Sequence, residues 1–187
     1  SISKLIQILE ESNSRNVFLV TGKKSFFLSG AEKALQPLLN NFNITRFEDF
    51  EINPTFEDAV KGTLIAKKNN IDTIVSIGGG SVIDIAKIIL AFIEPNQNFH
   101  SIVTGKDIPK NPKITHFAVP TTAGTGSEST HFAVVYLNKK KYSIAAPYLL
   151  PNSAILDGEL IISNPSFQKA INGLDALAQA IESHWAK

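Results

Sequence analysis

The sequence predicts an α/β fold, a parallel β-sheet flanked by helices, on three observations. Apolar stretches of strand length alternate with stretches of helical periodicity along most of the 187 residues. Residues 71–77 read as a buried strand rich in β-branched side chains that passes directly into Gly78-Gly79-Gly80-Ser81. A second apolar run, 114–119, passes into Pro120-Thr121-Thr122-Ala123-Gly124-Thr125-Gly126-Ser127-Glu128. Buried parallel strands that end in glycine-rich turns place ligands at their carboxyl ends.

Taken in order, residues 3–12 carry the pattern of a short amphipathic helix and 16–21 that of a buried strand. Residues 29–40 are helical in pattern, and 44–50 read as a weaker strand. Asn53-Pro54-Thr55 opens a helix over 55–69, with Pro54 stopping the element before it. The strand 71–77 and a helix over 81–92 follow, with Ser81 as N-cap and Asp84 completing a Ser-x-x-Asp capping pattern. The polar segment holding Pro95, Pro109 and Pro112 is expected to be a surface loop. After the strand 114–119, residues 136–142 read as a hairpin tip. No internal repeat or low-complexity segment is visible.

Composition narrows the function classes. Hydrophobic residues make up 43%, enough for a full core. Eighteen Lys and Arg against seventeen Asp and Glu give a net charge of +1, which argues against a nucleic-acid partner. There is no Cys, so thiolate metal sites and disulfides are excluded. No apolar run reaches the length of a membrane span and no signal peptide is visible, so a cytoplasmic protein is expected. The absence of Met, including at the first position, is expected of a processed or trimmed chain.

A strand, a glycine turn and a helix N-terminus present free N–H groups to an anion, and a phosphate is the expected one. The alternative is a tight turn that binds nothing. The Thr- and Gly-rich stretch after residue 119 adds hydroxyls suited to phosphate and ribose oxygens. It is no Walker loop, since no Gly-Lys-Ser/Thr follows, and no complete Gly-x-Gly-x-x-Gly, since position 129 is Ser.

Three motifs together carry a resemblance: Gly-Gly-Gly-Ser-x-x-Asp-x-Ala-Lys (78–87), Pro-Thr-Thr-Ala-Gly-Thr-Gly-Ser-Glu (120–128) and Gly-Leu-Asp-Ala-Leu-Ala-Gln-Ala-Ile-Glu (173–182). In this order they resemble the iron-dependent, or group III, alcohol dehydrogenases. The resemblance implies a Rossmann-like dinucleotide-binding domain over 1–162, with 163–187 as only the start of a C-terminal helical domain that supplies most metal ligands. It implies that Gly79, Gly80 and Ser81 cradle the pyrophosphate and that Asp84 braces that turn near the nicotinamide end. Thr121, Thr122 and Thr125 would contact the adenosine and phosphates, and Asn53 would touch the dinucleotide. Lys141 matches a family lysine near the nucleotide; otherwise it is a solvated hairpin lysine.

Many members of the family carry an Asp just after the first strand, where this chain has Gly22, within Thr21-Gly22-Lys23-Lys24-Ser25. Loss of that carboxylate beside two Lys and a Ser favours a 2′-phosphate, hence NADP(H) over NAD(H). Alternatively both lysines face water. The resemblance also implies a divalent metal, Fe or Zn, held in part by an Asp and a His four residues apart on one helix. Here Asp175 is present but the second position is Gln179, a neutral amide and a poor substitute for imidazole. His184 lies nine residues past Asp175, about half a turn away at ~3.6 residues per turn. His100, His116 and His131 are expected to be ordinary surface or loop residues.

The implied activity is hydride transfer between a nicotinamide cofactor and an alcohol or aldehyde. The Thr-Gly-Lys-x-Ser start and the Asp-x3-Gln helix resemble the branch that reduces phosphonoacetaldehyde. A homodimer is among the expectations. Two rival readings stay open: a catalytically inactive nucleotide-binding fragment, and a non-redox metal-dependent synthase on the same fold.

Overall fold

The computed structural model of the chain describes residues 2–36 and 41–186. Helices α1 (Lys4–Glu11), α2 (Ser25–Leu28), α3 (Ala31–Leu35), α4 (Phe56–Lys68), α5 (Gly80–Phe92), α6 (Phe99–Val103), α7 (Glu159–Ile162) and α8 (Ser166–Trp185) alternate with strands. The strands are β1 (Asn16–Thr21), β2 (Asn43–Phe47), β3 (Thr73–Gly78), β4 (Thr115–Pro120), β5 (Phe132–Leu137), β6 (Lys140–Ala145) and β7 (Ser153–Ala154). Five of them form one sheet in the order β2-β1-β3-β4-β7, every pair parallel. This doubly wound arrangement reverses direction between β1 and β3, so a crevice opens at their carboxyl ends.

Alternation along each strand divides the core between the two faces. Phe18 and Val20 of β1 and Ile74 of β3 join the cluster beneath α4, α5 and the β5–β6 hairpin. Val17, Leu19, Val75, Ile77, Phe117 and Val119 face the other way, against Leu5, Leu9, Phe26 and Leu35. Ten of the thirteen residues of α5 are buried, because the sheet, α4 and β5 enclose it. The parallel sheet and the strands expected over 16–21, 71–77 and 114–119 agree with the sequence expectation; β7 was not foreseen.

Local chemistry explains the boundaries. Thr55 accepts from the Asp58 amide while Asp58 accepts from the Thr55 amide, a reciprocal capping box that starts α4. Asn138 and Lys139 both adopt positive φ (51° and 63°), the pattern of the tight turn that suits a two-residue hairpin. Within the helix expected over 29–40, α3 covers only 31–35 and starts after Gly30, which adopts φ 78°; α2, over 25–28, was not expected. Residues 37–40 of the expected helix lie outside the described residues. The strand expected to run to residue 50 ends at Phe47, where the chain turns away so that Glu48 meets Arg46 and Asp49 meets Lys23 and Lys61. The proline-bounded segment contains α6, which the Asn98 side chain caps. Phe99 stacks on Phe92 at 4.4 Å, which ties this turn of helix to the core.

His116 corrects another expectation. It is fully buried in β4, with Nε2 2.8 Å from the Ser76 hydroxyl. Burial drives its pKa down to about 3, so the ring is neutral and belongs to the core. α8 packs differently from the other elements. Asn172 is its buried residue, while Phe167, Leu174, Leu177 and Trp185 stand more than half exposed. Among the described residues no helix is long and apolar enough to cross a membrane.

Candidate functional site

The crevice at the carboxyl ends of β1, β3 and β4 is a cleft of about 670 Å³, a size that suits a cofactor. Three turns build its floor. Gly22, Lys23, Lys24 and Ser25 follow β1; Gly79, Gly80 and Ser81 follow β3; Thr121, Thr122 and Thr125 follow β4. Glu48, Glu51 and Ile52 close one side, and Asn164, Gln168 and Asn172 close the other.

The start of α5 differs from expectation in one respect. Gly79, in extended backbone, is the N-cap, and no side chain caps the helix. Ser81 is therefore inside the first turn, and Asp84 makes no capping bond. The helix begins one residue early because Gly79 and Gly80 permit the turn, and the Gly79 carbonyl accepts from Val82 and Ile83. An uncapped N-terminus with a favourable dipole remains open to an anion.

The second and third turns meet through the glycines. A Cβ on Gly80 would stand 2.9 Å from Cγ2 of Thr125, and one on Gly79 would stand 3.2 Å from Thr122. Thr121 donates its amide to the Gly78 carbonyl (2.9 Å), and its own carbonyl accepts from Asn164 (2.7 Å). Its hydroxyl oxygen is buried with no partner among the described residues. A buried, orphaned hydroxyl beside an uncapped helix start fits a phosphate- and sugar-bearing ligand.

The structure gathers Gly22, Gly79, Gly80, Ser81, Thr121, Thr122 and Thr125 into this cleft and leaves the other candidates outside it. Asn53 is exposed and lines a neighbouring hollow with Tyr136 and Asn138. Lys141 is exposed on β6. Asp84 lies beneath the cleft, where its carboxylate accepts from the Ser127 hydroxyl (2.6 Å) and the Val134 amide (3.1 Å). Burial raises its pKa, against those two hydrogen bonds. On α8, Asp175 is half-buried and Gln179 exposed, and neither lines the cleft. Among the described residues no group of three or more His, Cys, Asp or Glu is arranged to hold a metal ion. Asp175 and Gln179, four positions apart on α8, would offer a metal ion two oxygen donors.

Sequence reasoning missed Gly124 and Asn172. A Cβ on Gly124 would stand 2.8 Å from the Asn172 carbonyl oxygen and 2.9 Å from its Cα, so this glycine is what lets α8 approach the Thr-rich turn. Gly124→Ala is expected to displace α8 and to weaken ligand binding in the cleft several-fold, a cost of about 1–3 kcal/mol for overpacking against backbone. Titration of the variant with a dinucleotide checks this; unchanged affinity would mean that α8 is no functional wall.

Comparison with known proteins agrees with this geometry. A family profile described as iron-containing alcohol dehydrogenase matches residues 1–158. An aldehyde-alcohol dehydrogenase of Streptococcus pneumoniae is 39% identical over 150 residues, 74% of this chain and 17% of that protein. An NADPH-dependent butanol dehydrogenase of Clostridium saccharobutylicum is 32% identical over 97% of this chain and 48% of its own length. The crystal structure of a sulfoacetaldehyde reductase from Bifidobacterium kashiwanohense in complex with NAD+ matches with a TM-score of 0.91 and 31% identity, covering all of this chain and 50% of that one. The chain thus spans about half the length, or less, of these relatives.

Proposed function

The chain belongs to the iron-containing alcohol dehydrogenase family, and on that premise we propose that it is the dinucleotide-binding part of an oxidoreductase that moves a hydride between NAD(P)(H) and a small alcohol or aldehyde. The observation that carries this reading is the junction of the uncapped α5 with the Thr-rich turn, where the buried Thr121 hydroxyl lacks a partner. Residues 1–162 form the dinucleotide domain in this reading, and 163–187 open the helical domain. The nicotinamide cofactor supplies the hydride chemistry. The protein's own residues bind and orient it. The first-turn amides of α5 hold the pyrophosphate, with Gly79 and Gly80 allowing close approach and Ser81 adding a hydroxyl. Thr121, Thr122 and Thr125 bind from the opposite bank, while Asn53 and Lys141 act at the periphery and Asp84 acts from beneath.

NADP(H) is the cofactor favoured by the cleft wall. Gly22 offers no carboxylate to repel a 2′-phosphate, and Lys24 has no ion-pair partner among the described residues. Lys23 is already engaged with Asp49 at 3.0 Å. Gly22→Asp is expected to weaken NADPH at least tenfold more than NADH. A Cβ there would stand 2.2 Å from the Ser25 hydroxyl, so the variant is best made together with Ser25→Ala. An unchanged NADPH/NADH ratio would remove the cofactor argument.

For the substrate, we propose an aldehyde bearing an anionic group, with phosphonoacetaldehyde as the first candidate. The likeness to a protein named for sulfoacetaldehyde, another anionic aldehyde, supports that class. A second reading, a nucleotide-binding chain without catalysis, draws on Gln179, a neutral amide where the family pattern has a His. The deciding experiment is calorimetric titration with NADPH and NADH, followed by aldehyde reduction by the complete protein. Binding of neither nucleotide would overturn the proposal, and binding without turnover in the complete protein would favour the second reading.

A further inference from the structure

Lys87 is fully buried, yet no carboxylate lies within ion-pair distance of it among the described residues. Neutral oxygens surround its ammonium instead. It donates to the carbonyls of Ser127 (2.5 Å), Thr130 (2.8 Å) and Phe132 (3.0 Å), with the hydroxyls of Thr130 (3.0 Å) and Ser127 (3.4 Å) completing the shell. Three carbonyl dipoles that converge on one point repel each other unless a cation sits there. The path of the chain from the Thr-rich turn into β5 therefore depends on this charge.

The arrangement repeats along one face of α5. Gly80, Asp84 and Lys87 are spaced four and three residues apart and so lie one above another. Gly80 touches Thr125, Asp84 accepts from Ser127 and Val134, and Lys87 holds 127, 130 and 132. The same helix presents its open N-terminus to the cleft. We infer that Lys87 is a positioning residue: its ammonium serves as an internal monovalent cation that holds the Thr-rich turn at a set distance from the start of α5, and thereby sets dinucleotide affinity. The inference rests on the proposed function for its ligand but not for its geometry. Burial draws the ammonium down to about 8, with Asp84 and Glu128 opposing that shift, so its charge is held at a cost that a purely space-filling side chain would not carry.

Two readouts test it: hydrogen exchange of the amides over 127–134, and the dissociation constant for NADPH. Lys87→Met keeps the volume and removes the charge. It is expected to speed exchange and weaken NADPH at least tenfold each. Because these 187 residues contain no Cys, Lys87→Cys can be alkylated while unfolded and then refolded. Aminoethylation restores an isosteric ammonium and is expected to recover both readouts; propylation restores shape without charge and is expected to recover neither. Unchanged exchange in folded Lys87→Met, faster exchange with unchanged NADPH affinity, or equal recovery by both alkylations would overturn the inference. If Lys87→Met does not fold, the comparison of the two alkylated proteins decides alone. Parent protein that binds no dinucleotide overturns the proposed function, while the exchange data still decide whether Lys87 anchors the turn.

Discussion

Gly79→Val is expected to raise the NADPH dissociation constant at least about a hundredfold while the chain stays folded. Gly79 has φ −80° and ψ −173°, extended backbone open to any residue, so the substitution strains no torsion. A Cβ would meet Thr122 at 3.2 Å, which a small shift of that half-buried side chain accommodates. The cost falls on the ligand. The added methyl groups occupy the space in which a pyrophosphate must approach the first-turn amides of α5. Hydrogen bonds to a charged group contribute roughly 1.5–3 kcal/mol each, so losing two gives about 3–6 kcal/mol. Calorimetry measures the affinity, and a thermal melt shows whether the fold is retained. A folded variant with parental affinity would place the pyrophosphate elsewhere.

Gln179→His in the complete protein is expected to raise affinity for Fe(II) or Zn(II) at least about tenfold. Asp175 and residue 179 are four apart on α8 and share a face. Gln179 is exposed, so the change should alter stability by no more than about 0.5 kcal/mol. An imidazole nitrogen is a far better ligand for these ions than a neutral amide oxygen. Only neutral imidazole ligates, so the gain should be present above the ordinary His pKa of about 6.5 and fade as pH falls through it. Competition against a chromophoric chelator at several pH values reads both effects. No gain at any pH would mean that the Asp175 helix is not a metal-binding element, and would strengthen the reading of a nucleotide-binding chain without catalysis.

These two positions were visible in different ways. Gly79 stood out because three consecutive glycines between an apolar run and a helix have few other uses. Gln179 stood out only against a family pattern. The capping box shows how a correct rule lands on the wrong helix. Ser81-x-x-Asp84 satisfies the motif as well as Thr55-x-x-Asp58 does, yet only the second forms. At α5 the glycines let the helix start earlier, and Asp84 finds better partners in Ser127 and Val134. Gly30, with positive φ, sets the start of α3 two residues later than periodicity alone placed it. His116 was read as an ordinary surface or loop residue, because one His in an apolar strand gives no sign of the Ser76 hydroxyl that receives it.

Neighbouring residues were enough to establish the main strands of the parallel sheet, the helices over 55–69 and 81–92, the two glycine-rich turns and a hairpin tip within 136–142. Each depends on periodicity or backbone freedom within a few positions. The tertiary structure alone decided that the two turns form one cleft, that Gly124 admits α8, and that Lys87 is encircled by oxygens from Ser127, Thr130 and Phe132. Those contacts join residues some forty positions apart. They exist because the crossover from β3 to β4 lays α5 along the sheet beside the chain that leaves β4, and no local pattern encodes which oxygens that path will bring to a buried ammonium.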